Sequence, residues 1–271
     1  MPELPEVETT RSGISQSILK QTIDSVTVRD YRLRWPIDKS LEKELPGQII
    51  ERVERRAKYL LLYTTTHCLI IHLGMSGHLR IVENNVPATK HDHVDINFNN
   101  GLTLRYNDPR RFGAILWTDK NPLEHPRLKS LGVEPLSGDF HSKLLYESSR
   151  SRSIPVKSLI MDGKIVVGVG NIYACESLFA AGINPKKTAN RISLKRYQAL
   201  TESIKTILAK AIKAGGTTLK DFKASDGKPG YFSQELNVYG REGQPCPHCG
   251  RKIKSALISQ RNTFWCSACQ R

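Results

Sequence analysis

Alternating apolar and polar positions over the first ~130 residues predict a series of short β-strands. Val94, Ile96 and Phe98 alternate with Asp95 and Asn97, and the Asn-Asn-Gly that follows is a hairpin turn signal. Further runs of this kind predict strands at 23–28, 49–53, 59–63, 68–73, 102–104 and 114–117. Short strands at such spacing are typical of a β-sandwich or a β-barrel.

A helix is predicted before these strands. Pro5 suits the first turn of a helix, and Val7, Ile14 and Ile18 recur at the spacing of one helical face. The front half of the chain is therefore expected to be a β-sandwich or barrel that carries an N-terminal helix.

The apolar period becomes helical in the second half of the chain. Pro155 opens an apolar segment that extends to Met161, and residues 171–181 predict a helix that Gly182 stops. A longer helix begins after Ser193 and ends at a Gly-Gly pair. Its inner face consists of Tyr197, Leu200, Ile204, Leu208 and Ala211.

Charge adds a partner to this picture. The 271 residues carry 41 Lys and Arg against 26 Asp and Glu, a formal net charge of +15. The excess concentrates in two basic clusters, residues 186–213 with eight basic residues and one acid, and residues 241–271 with six and one. A solvated helix face would explain the first cluster alone, but the two together favour a nucleic-acid partner. No apolar run approaches the roughly 18 residues of a membrane span, and the N-terminus does not resemble a secretory signal.

Four of the six cysteines follow the pattern of a zinc site. Cys246 and Cys249 form one C-x2-C pair, and Cys266 and Cys269 form a second pair sixteen residues later. Two disulfides or a redox pair are the alternatives, but a chain without a secretory signal and with two further single cysteines is not expected to form an oxidised framework. Four thiolates leave no open position for a substrate, so the predicted zinc ion is structural. The other two cysteines, Cys68 and Cys175, are predicted to be small core residues.

The N-terminus offers a candidate nucleophile. If Met1 is removed, Pro2 carries a secondary α-amine, whose ordinary pKa near ~8 leaves part of it unprotonated at neutral pH. Such an amine can attack a sugar carbon and form an iminium ion that remains cationic. Glu3 and Glu6 lie close by in sequence and could transfer protons. Taken alone, however, these residues are better explained as an ordinary start to a chain and as ordinary helix capping.

Longer motifs favour the catalytic interpretation. The chain resembles the formamidopyrimidine-DNA glycosylases, bacterial enzymes that remove oxidised purines, over essentially its whole length and with the motifs in the same order. The matching segments are MPELPEVET (1–9), RRAKYL (55–60), HLGMSG (72–77), NDPRRFG (107–113), VGVGNIYA (167–174), GKPGYF (227–232) and the terminal cysteine module. Three positions depart from the pattern we expect for the family: Ala57 replaces a glycine, Cys175 replaces a serine, and Asn262 replaces a smaller residue.

The resemblance implies an α+β fold. It consists of an N-terminal β-sandwich with an N-terminal helix, a C-terminal helix–two-turn–helix domain, and a β-hairpin zinc finger. The expected domains are a catalytic domain at 1–135, a helical DNA-binding domain at 136–240, and the zinc finger at 241–271. A lesion-recognition loop is expected at about 219–240 within the helical domain.

The resemblance also implies roles for individual residues. Pro2 would be the nucleophile that forms the Schiff base, Glu3 the acid and base that opens the deoxyribose, and Glu6 its support. Lys58 would touch phosphate near the lesion and assist catalysis, although a surface lysine lying along an apolar strand would look the same in sequence. Arg261 would grip the phosphates on both sides of the flipped nucleotide.

Enzymes that act on a base must take it out of the stack and fill the space that it leaves. By resemblance Met75, Arg110 and Phe112 would enter the stack, although Met75 and Phe112 would otherwise be taken for core residues. Asn171, at a helix N-terminus where free amides favour a phosphate, is a DNA contact by the same comparison. The further DNA-contact candidates are His72, Arg111, Lys164 and Tyr239.

The predicted function is excision of oxidised purines from double-stranded DNA, followed by cleavage of the abasic site through β,δ-elimination. Two alternatives remain open: an endonuclease VIII-type glycosylase for oxidised pyrimidines, and a zinc protein that binds damaged DNA without cutting it. Leu4 and the 219–240 segment favour the purine enzyme. We further expect one structural zinc ion per chain, no organic cofactor, a monomer without membrane contact, and a bacterial cytoplasmic, nucleoid-associated location.

Overall fold

The computed structural model of the chain describes residues 2–216 and 236–271. Their contacts separate them into two units, the first with residues 2–129 and 214–216 and the second with residues 130–213 and 236–271. Met1 and most of the predicted lesion-recognition loop, residues 219–235, lie outside the described residues. The three-domain boundaries therefore stay a prediction.

The first unit begins with the predicted N-terminal helix, α1 (Leu4–Ile18), which has Pro5 in its first turn. Val7, Ile14 and Ile18 are at most 1% exposed, and they face a hydrophobic core shared with the strands that follow. Three positions of one helical face thus anchor α1 to the sheets. A short second helix, α2 (Leu41–Glu44), follows the first strand.

Eight strands form two antiparallel sheets in this unit. They are β1 (Ile23–Val28), β2 (Ile50–Arg56), β3 (Tyr59–Thr64), β4 (Cys68–His72), β5 (His78–Glu83), β6 (Asp92–Phe98), β7 (Leu102–Asn107) and β8 (Ala114–Thr118). One sheet has the order β1-β6-β7-β5 and the other β2-β3-β4-β8. Leu62 and Leu69 of one sheet share a core with Ile96 and Leu104 of the other. The expected sandwich is therefore confirmed, and a closed barrel is not formed by these strands.

The second unit is helical, as predicted. Its helices are α3 (Ser142–Ser149), α4 (Val156–Ile160), α5 (Asn171–Ala180) and α6 (Leu194–Lys213). Along α6, Leu200, Ile204 and Leu208 are completely buried, which confirms the inner face read from the sequence. The Ser193 hydroxyl accepts a hydrogen bond from the Arg196 N–H at 3.4 Å, as an N-cap residue does.

The C-terminal residues of this unit form a two-stranded hairpin, β9 (Lys254–Ile258) and β10 (Arg261–Trp265). Phe264 and Ile253 of this module pack in one hydrophobic cluster with Cys175 and Phe179 of α5. Cys175 and Cys68 are 1% and 2% exposed, which confirms both as core residues. Across residues 2–216 and 236–271, no helix is both long enough and apolar enough to cross a membrane.

Candidate active site

The start of α1 brings Pro2, Glu3 and Glu6 together in a buried environment. Pro2 is buried, and Glu3 and Glu6 are only 3% and 0% exposed. The Glu6 carboxylate accepts a hydrogen bond from the Glu3 backbone N–H at 2.8 Å, within a capping box that joins the two residues. The positive end of the helix dipole stabilises negative charge at this position. Two carboxyl groups are thus held close to Pro2 in the chain.

Lys58 lies in the hairpin turn between β2 and β3. Arg56 pairs with Tyr59, so Ala57 and Lys58 are the two turn residues, and Lys58 lies directly before β3. Ala57 has φ +55°, in the left-handed region that favours glycine. The glycine expected at this position therefore has a physical reason, and alanine occupies it here at a cost in backbone strain.

A chain of polar contacts joins this hairpin to α1. The Glu8 carboxylate of α1 accepts a hydrogen bond from Arg55 at 2.9 Å and one from Arg11 at 2.7 Å. Arg55 also donates to the carbonyl oxygen of Ala57 at 2.9 Å. Glu8 and Arg55 thereby fix the turn that carries Lys58 relative to the helix that carries Glu3.

His72 is uncharged at neutral pH, and the charge of Lys58 is close enough to affect its pKa. Burial, followed by the charges of Lys58 and Arg34, lowers the pKa of His72 to about 4. Its Nδ1 accepts a hydrogen bond from the Gly74 N–H at 3.1 Å, which leaves the proton of the neutral ring on Nε2. At neutral pH His72 can therefore offer a phosphate a hydrogen-bond donor but not a positive charge.

The three predicted intercalating residues lie on two loops that touch each other. Gly74 has φ +63°, and a Cβ atom built on it would lie 2.4 Å from the backbone carbon of Phe112. This close approach places Met75 and the 110–112 segment side by side. The Arg110 guanidinium lies over the Phe112 ring at 4.7 Å from its centroid, and Phe112 is 44% exposed. A side chain exposed to this degree lies at the surface and is not part of the core.

Asp108 braces both loops, and sequence reasoning missed it. This fully buried carboxylate accepts hydrogen bonds from the Ser76 hydroxyl at 2.7 Å and from the Gly113 N–H at 2.8 Å. Burial raises the pKa of Tyr106 well above its usual value, so the neutral Tyr106 hydroxyl donates to Asp108 at 3.2 Å. The signal in the sequence is an acidic residue directly after a strand of otherwise buried side chains.

Arg111 is held away from its two neighbours by an ion pair. It has φ +55°, and its guanidinium lies 3.0 Å from the Asp30 carboxylate. Hydrogen bonds from Arg32, and a further one from Arg111, hold the pKa of Asp30 well below its usual range. The left-handed backbone turns Arg111 out of line with Arg110 and Phe112. Its predicted phosphate contact stays a prediction.

In the second unit, a buried lysine organises the segment around Asn171 and Arg261. Lys157 is 1% exposed and donates to the Asn171 side-chain oxygen and, at 2.6 Å, to the Thr263 hydroxyl. The Asn171 side chain in turn donates to the Asn262 carbonyl oxygen at 2.8 Å. Asn171 at the start of α5 and the residue after Arg261 are thus linked directly. Sequence reasoning missed Lys157, although a lysine inside an apolar segment was a visible signal.

The segment that carries Tyr239 is held by another buried charge. Glu176 of α5 is 2% exposed and accepts hydrogen bonds at 2.9 Å from the backbone N–H groups of Asn237, Val238 and Tyr239. Three backbone donors compensate for the burial of this carboxylate and fix the chain direction at Tyr239. Lys164 is an exposed side chain in a turn. The DNA-contact roles of Tyr239 and Lys164 stay predictions.

The four motif cysteines meet in one place, and their geometry fits a zinc ion. Their Sγ atoms all lie within 4.8 Å of one another. Cys246 and Cys269 are 3.9 Å apart and Cys249 and Cys266 are 3.4 Å apart, close to the ~3.8 Å edge of a tetrahedron with Zn–S bonds of about 2.3 Å. All four are free thiols rather than disulfides. Four thiolate ligands make this one structural zinc site. A zinc ion bound there stabilises the fold and has no coordination position open for a substrate.

The candidate residues therefore fall into two sets. Pro2, Glu3, Glu6, Lys58, His72, Met75, Arg110, Arg111 and Phe112 belong to the first unit, and Lys164, Asn171, Tyr239, Arg261 and the zinc cysteines belong to the second. Within the first unit a hydrogen bond joins Glu3 to Glu6, and within the second a hydrogen bond joins Asn171 to Asn262, the residue after Arg261. Their catalytic and DNA-binding roles are not tested by these contacts.

Three family models match successive parts of the chain. The N-terminal domain of formamidopyrimidine-DNA glycosylase matches residues 1–115, the H2TH domain of the same enzyme matches residues 131–223, and a zinc finger found in FPG and IleRS matches residues 243–271.

Whole-chain relatives agree with these matches. The formamidopyrimidine-DNA glycosylase of Syntrophotalea carbinolica is 56% identical over 271 residues, and that of Stutzerimonas stutzeri is 58% identical over 271 residues, with 100% of both chains covered in each case. A Lactococcus lactis Fpg variant solved in complex with DNA containing Fapy-dG superposes with a TM-score of 0.93 at 36% identity and covers 100% of both chains. The chain belongs to the formamidopyrimidine-DNA glycosylase family and is a DNA glycosylase.

Proposed function

We propose that this chain removes oxidised purines, such as 8-oxoguanine and ring-opened formamidopyrimidines, from double-stranded DNA and then cleaves the abasic site. The observation that carries the proposal is the start of α1, where a buried proline adjoins two carboxyl groups that are 3% and 0% exposed. Burying two acids beside a terminal amine has no stabilising advantage over a polar cap at the surface. It does provide a proton donor and a proton acceptor next to a nucleophile.

In the proposed mechanism Pro2 attacks C1′ of the damaged nucleotide with its nitrogen lone pair. The glycosidic bond breaks, its electron pair leaves with the base, and the proton released from the Pro2 nitrogen neutralises the departing base. Glu3 protonates the ring oxygen of the deoxyribose, which opens the sugar and leaves an iminium ion between Pro2 and C1′. Glu6 supports Glu3 through the hydrogen bond to the Glu3 N–H at 2.8 Å.

The iminium ion then acts as an electron sink. Loss of a proton from C2′ expels the 3′ phosphate by β-elimination, and a second elimination expels the 5′ phosphate. Hydrolysis of the imine returns Pro2, and the DNA is left with a one-nucleotide gap. In this scheme Lys58 and neutral His72 bind phosphate near the lesion, and Arg261 and Asn171 bind phosphates from the second unit.

The remaining assignments complete the scheme. Met75, Arg110 and Phe112 fill the space left by the flipped nucleotide, since a wedge of this kind offsets lost stacking. The partner is duplex DNA with an oxidised purine or an abasic site, bound by a monomer. The expected location is the bacterial cytoplasm, in association with the nucleoid.

Borohydride trapping tests this proposal. The chain is incubated with a duplex carrying 8-oxoguanine opposite cytosine, or with a duplex carrying an oxidised pyrimidine, and any imine is reduced to a stable adduct. A covalent adduct with the strand that carried the oxidised purine is the expected result, and the same reaction without borohydride should leave phosphate at both ends of the gap. An adduct on the pyrimidine lesion alone would favour the endonuclease VIII-type alternative, and binding without any adduct would leave only a damaged-DNA-binding protein.

A matched pair of extended chains tests the role of Pro2. A short extension before Pro2 converts its amine to an amide and should abolish the adduct. The same extension after Arg271 should leave adduct formation unchanged. An adduct that survives the N-terminal extension would show that another residue is the nucleophile.

A further inference from the structure

One end of the β2-β3-β4-β8 sheet carries several candidate site residues. Tyr59 of β3 pairs with His72 of β4, and His72 pairs with Ala114 of β8. Lys58 directly precedes this row, and the 110–112 segment lies two residues before Ala114. The Tyr59 and His72 rings lie 4.8 Å apart. This end of the sheet is therefore the part of the first unit where a DNA backbone is expected to pass.

Two arginines from other segments of the chain lie near the same end of the sheet. Arg34 donates its backbone N–H to the Gly113 carbonyl oxygen at 3.1 Å, which fixes it beside the end of the 110–112 segment. Its guanidinium lies over the ring of Trp35, 4.9 Å from the ring centroid. Arg127, which follows β8, places its guanidinium over the same ring at 4.0 Å. We call these three residues the Arg–Trp cluster.

The two arginines lack the acidic partner that two adjacent cations usually have. Both side chains are exposed, and within residues 2–216 and 236–271 neither forms an ion pair with a carboxylate. Two like charges that share one indole ring repel each other, because attraction to the ring offsets only part of the repulsion. An anion bound close to both guanidinium groups would offset this cost.

A second arginine–aromatic pair in the same sheet shows the contrast. The Arg52 guanidinium lies over the Tyr63 ring at 4.0 Å, nearly the same geometry as Arg127 over Trp35. Arg52, however, forms an ion pair with Glu54 on the same strand. It also lies toward the opposite end of β2 from the turn that carries Lys58. Arg52 is therefore a neutralised arginine, whereas the Arg–Trp cluster keeps two charges available.

The chemistry of the cluster selects the type of ligand. Guanidinium groups present several N–H donors in a plane and bind phosphate oxygens in pairs, and stacking on an aromatic ring holds that plane in place. The surface over the Trp35 ring is already covered by cations, so an aromatic base would not stack there as it does on a bare ring. The electrostatic influence of Arg34 and Arg127 also reaches the Tyr59 hydroxyl, which places both charges near the row that contains His72.

We propose that Arg34, Trp35 and Arg127 form a binding site for a backbone phosphate of DNA, additional to the phosphate contact expected of Lys58 and His72. The site rests on the proposed function, since it would hold the same duplex. It binds the strand without regard to base sequence or lesion, because phosphate contacts carry no sequence information. It lengthens the stretch of backbone that the first unit holds while a nucleotide is turned out of the stack.

Binding measurements with three variants test the site. R34Q and R127Q each remove one guanidinium, and R52Q removes the matched guanidinium that Glu54 neutralises. Affinity is measured from ~50 to ~200 mM salt on a duplex with a reduced abasic-site analogue, which cannot form an imine. R34Q and R127Q should each weaken binding about fivefold to tenfold near ~150 mM salt and lower the slope of log Kd against log salt by about 0.9. R52Q should stay within about twofold of the unaltered protein.

Uncharged phosphate analogues then locate the phosphate that the two arginines contact. Single backbone phosphates near the lesion are replaced one at a time by methylphosphonate. At least one replacement should weaken binding by the unaltered protein and by R52Q, yet have almost no further effect on R34Q or R127Q. If every replacement weakens all four proteins equally, the arginines touch no phosphate and the inference is wrong. R34K, which keeps the charge but loses the planar donors, should recover part of the affinity.

The trapping assay separates this inference from the proposed function. At saturating protein, the unaltered chain and R52Q should form the borohydride adduct on 8-oxoguanine DNA at equal rates, whereas R34Q and R127Q are compared with them in binding. Absence of an adduct from the unaltered chain would contradict the proposed function. Normal adduct formation by the unaltered chain, with unchanged binding by R34Q and R127Q, would contradict the phosphate site alone.

Discussion

At the scale of single residues, the candidate site depends on polar groups whose charge and direction are set by burial. His72 is an example, because burial and the nearby charges of Lys58 and Arg34 lower its pKa to about 4. In the unfolded chain the same side chain has a pKa near ~6.5. The folded state therefore disfavours protonation of His72, and stability rises with pH between these two values.

H72N tests this linkage, because the Asn side-chain oxygen can replace Nδ1 as the acceptor for the Gly74 N–H. Protonation of His72 in the unfolded state should cost the unaltered protein about 2–3 kcal/mol of stability between pH ~7 and pH ~4.5. H72N should therefore lose about 2–3 kcal/mol less stability than the unaltered protein over the same pH range. Urea unfolding at both pH values measures it, and an equal loss in the two proteins would show that His72 is not desolvated.

Lys157 is a second residue whose role comes from its position. K157M replaces the buried ammonium by an apolar side chain of similar length, so the free energy of unfolding should change by only about 1 kcal/mol. The side-chain oxygen of Asn171 loses its charged donor, and affinity for abasic-site DNA should fall about tenfold. K205M is the control, since Lys205 donates to the Ser137 carbonyl oxygen at 2.9 Å in the same unit. If K157M and K205M lose the same affinity, the effect comes from the loss of one positive charge and not from the hydrogen bond to Asn171.

At the scale of elements, local sequence patterns predicted most strands and helices correctly. The alternation in β6, the apolar face of α1 and the inner face of α6 were all readable, because the apolar residues of each element recur at the spacing of one face. Strand β5 was missed, since its residues are mostly half-buried and mix charged with apolar side chains. Helix α3 was also missed, because only Leu145 and Ser149 of its eight residues are buried.

The zinc-finger hairpin shows strain that the pattern did not reveal. Ile258 pairs with Arg261, so Ser259 and Gln260 form a two-residue turn with φ of +47° and +59°. This conformation is favoured by Asn-Gly and is strained for other residues. The strain lies directly before Arg261 and is accompanied by a contact of 2.8 Å between the Ser259 and Ser158 hydroxyls.

Q260G should therefore stabilise the protein by about 1 kcal/mol, because glycine adopts positive φ without a steric penalty. The melting temperature should rise by roughly 2–4 °C. The same substitution at Gln198, which is exposed in the interior of α6, should lower stability by about 1 kcal/mol. A fall in the melting temperature of Q260G would mean that the Gln260 side chain stabilises the turn in another way.

At the scale of the whole molecule, a structural metal site stabilises residues 241–271 of the second unit, the zinc module. This module has few apolar residues of its own. The zinc module packs against α5 through a small cluster of Cys175, Phe179, Val238 and the residues around the cysteines. A core of this size cannot offset the conformational entropy of about thirty residues without the metal. The first unit has its own larger core.

Removal of zinc should therefore act on one unit only. The intact chain should contain one zinc ion, and a chelator should increase hydrogen exchange in residues 241–271 while the strands of the first unit keep their protection. C249S should contain no zinc, whereas C175S, which changes a buried thiol outside the site, should contain one. Metal analysis and hydrogen exchange measure both, and a C175S chain without zinc would contradict the assignment of the four ligands.

The sequence by itself determined what depends on local pattern and composition. Period-two and helical spacing identified the sandwich strands and the helices, the two C-x2-C pairs identified a four-thiolate zinc site, and the +15 charge indicated a polyanionic partner. The motifs at 1–9, 72–77 and 107–113 were enough to recognise the family. These features survive without coordinates because each is encoded within a short stretch of chain.

Only the tertiary structure decided which polar residues are buried and what they touch. Lys157 and Thr263 are 106 positions apart, and Glu176 is 63 positions from Tyr239, so no local pattern connects them. The neutral state of His72 and the shared ring beneath Arg34 and Arg127 likewise depend on segments that meet only in the fold. Burial and electrostatic interaction depend on distance in space, and the +15 charge of the sequence acquires positions only when the chain is folded.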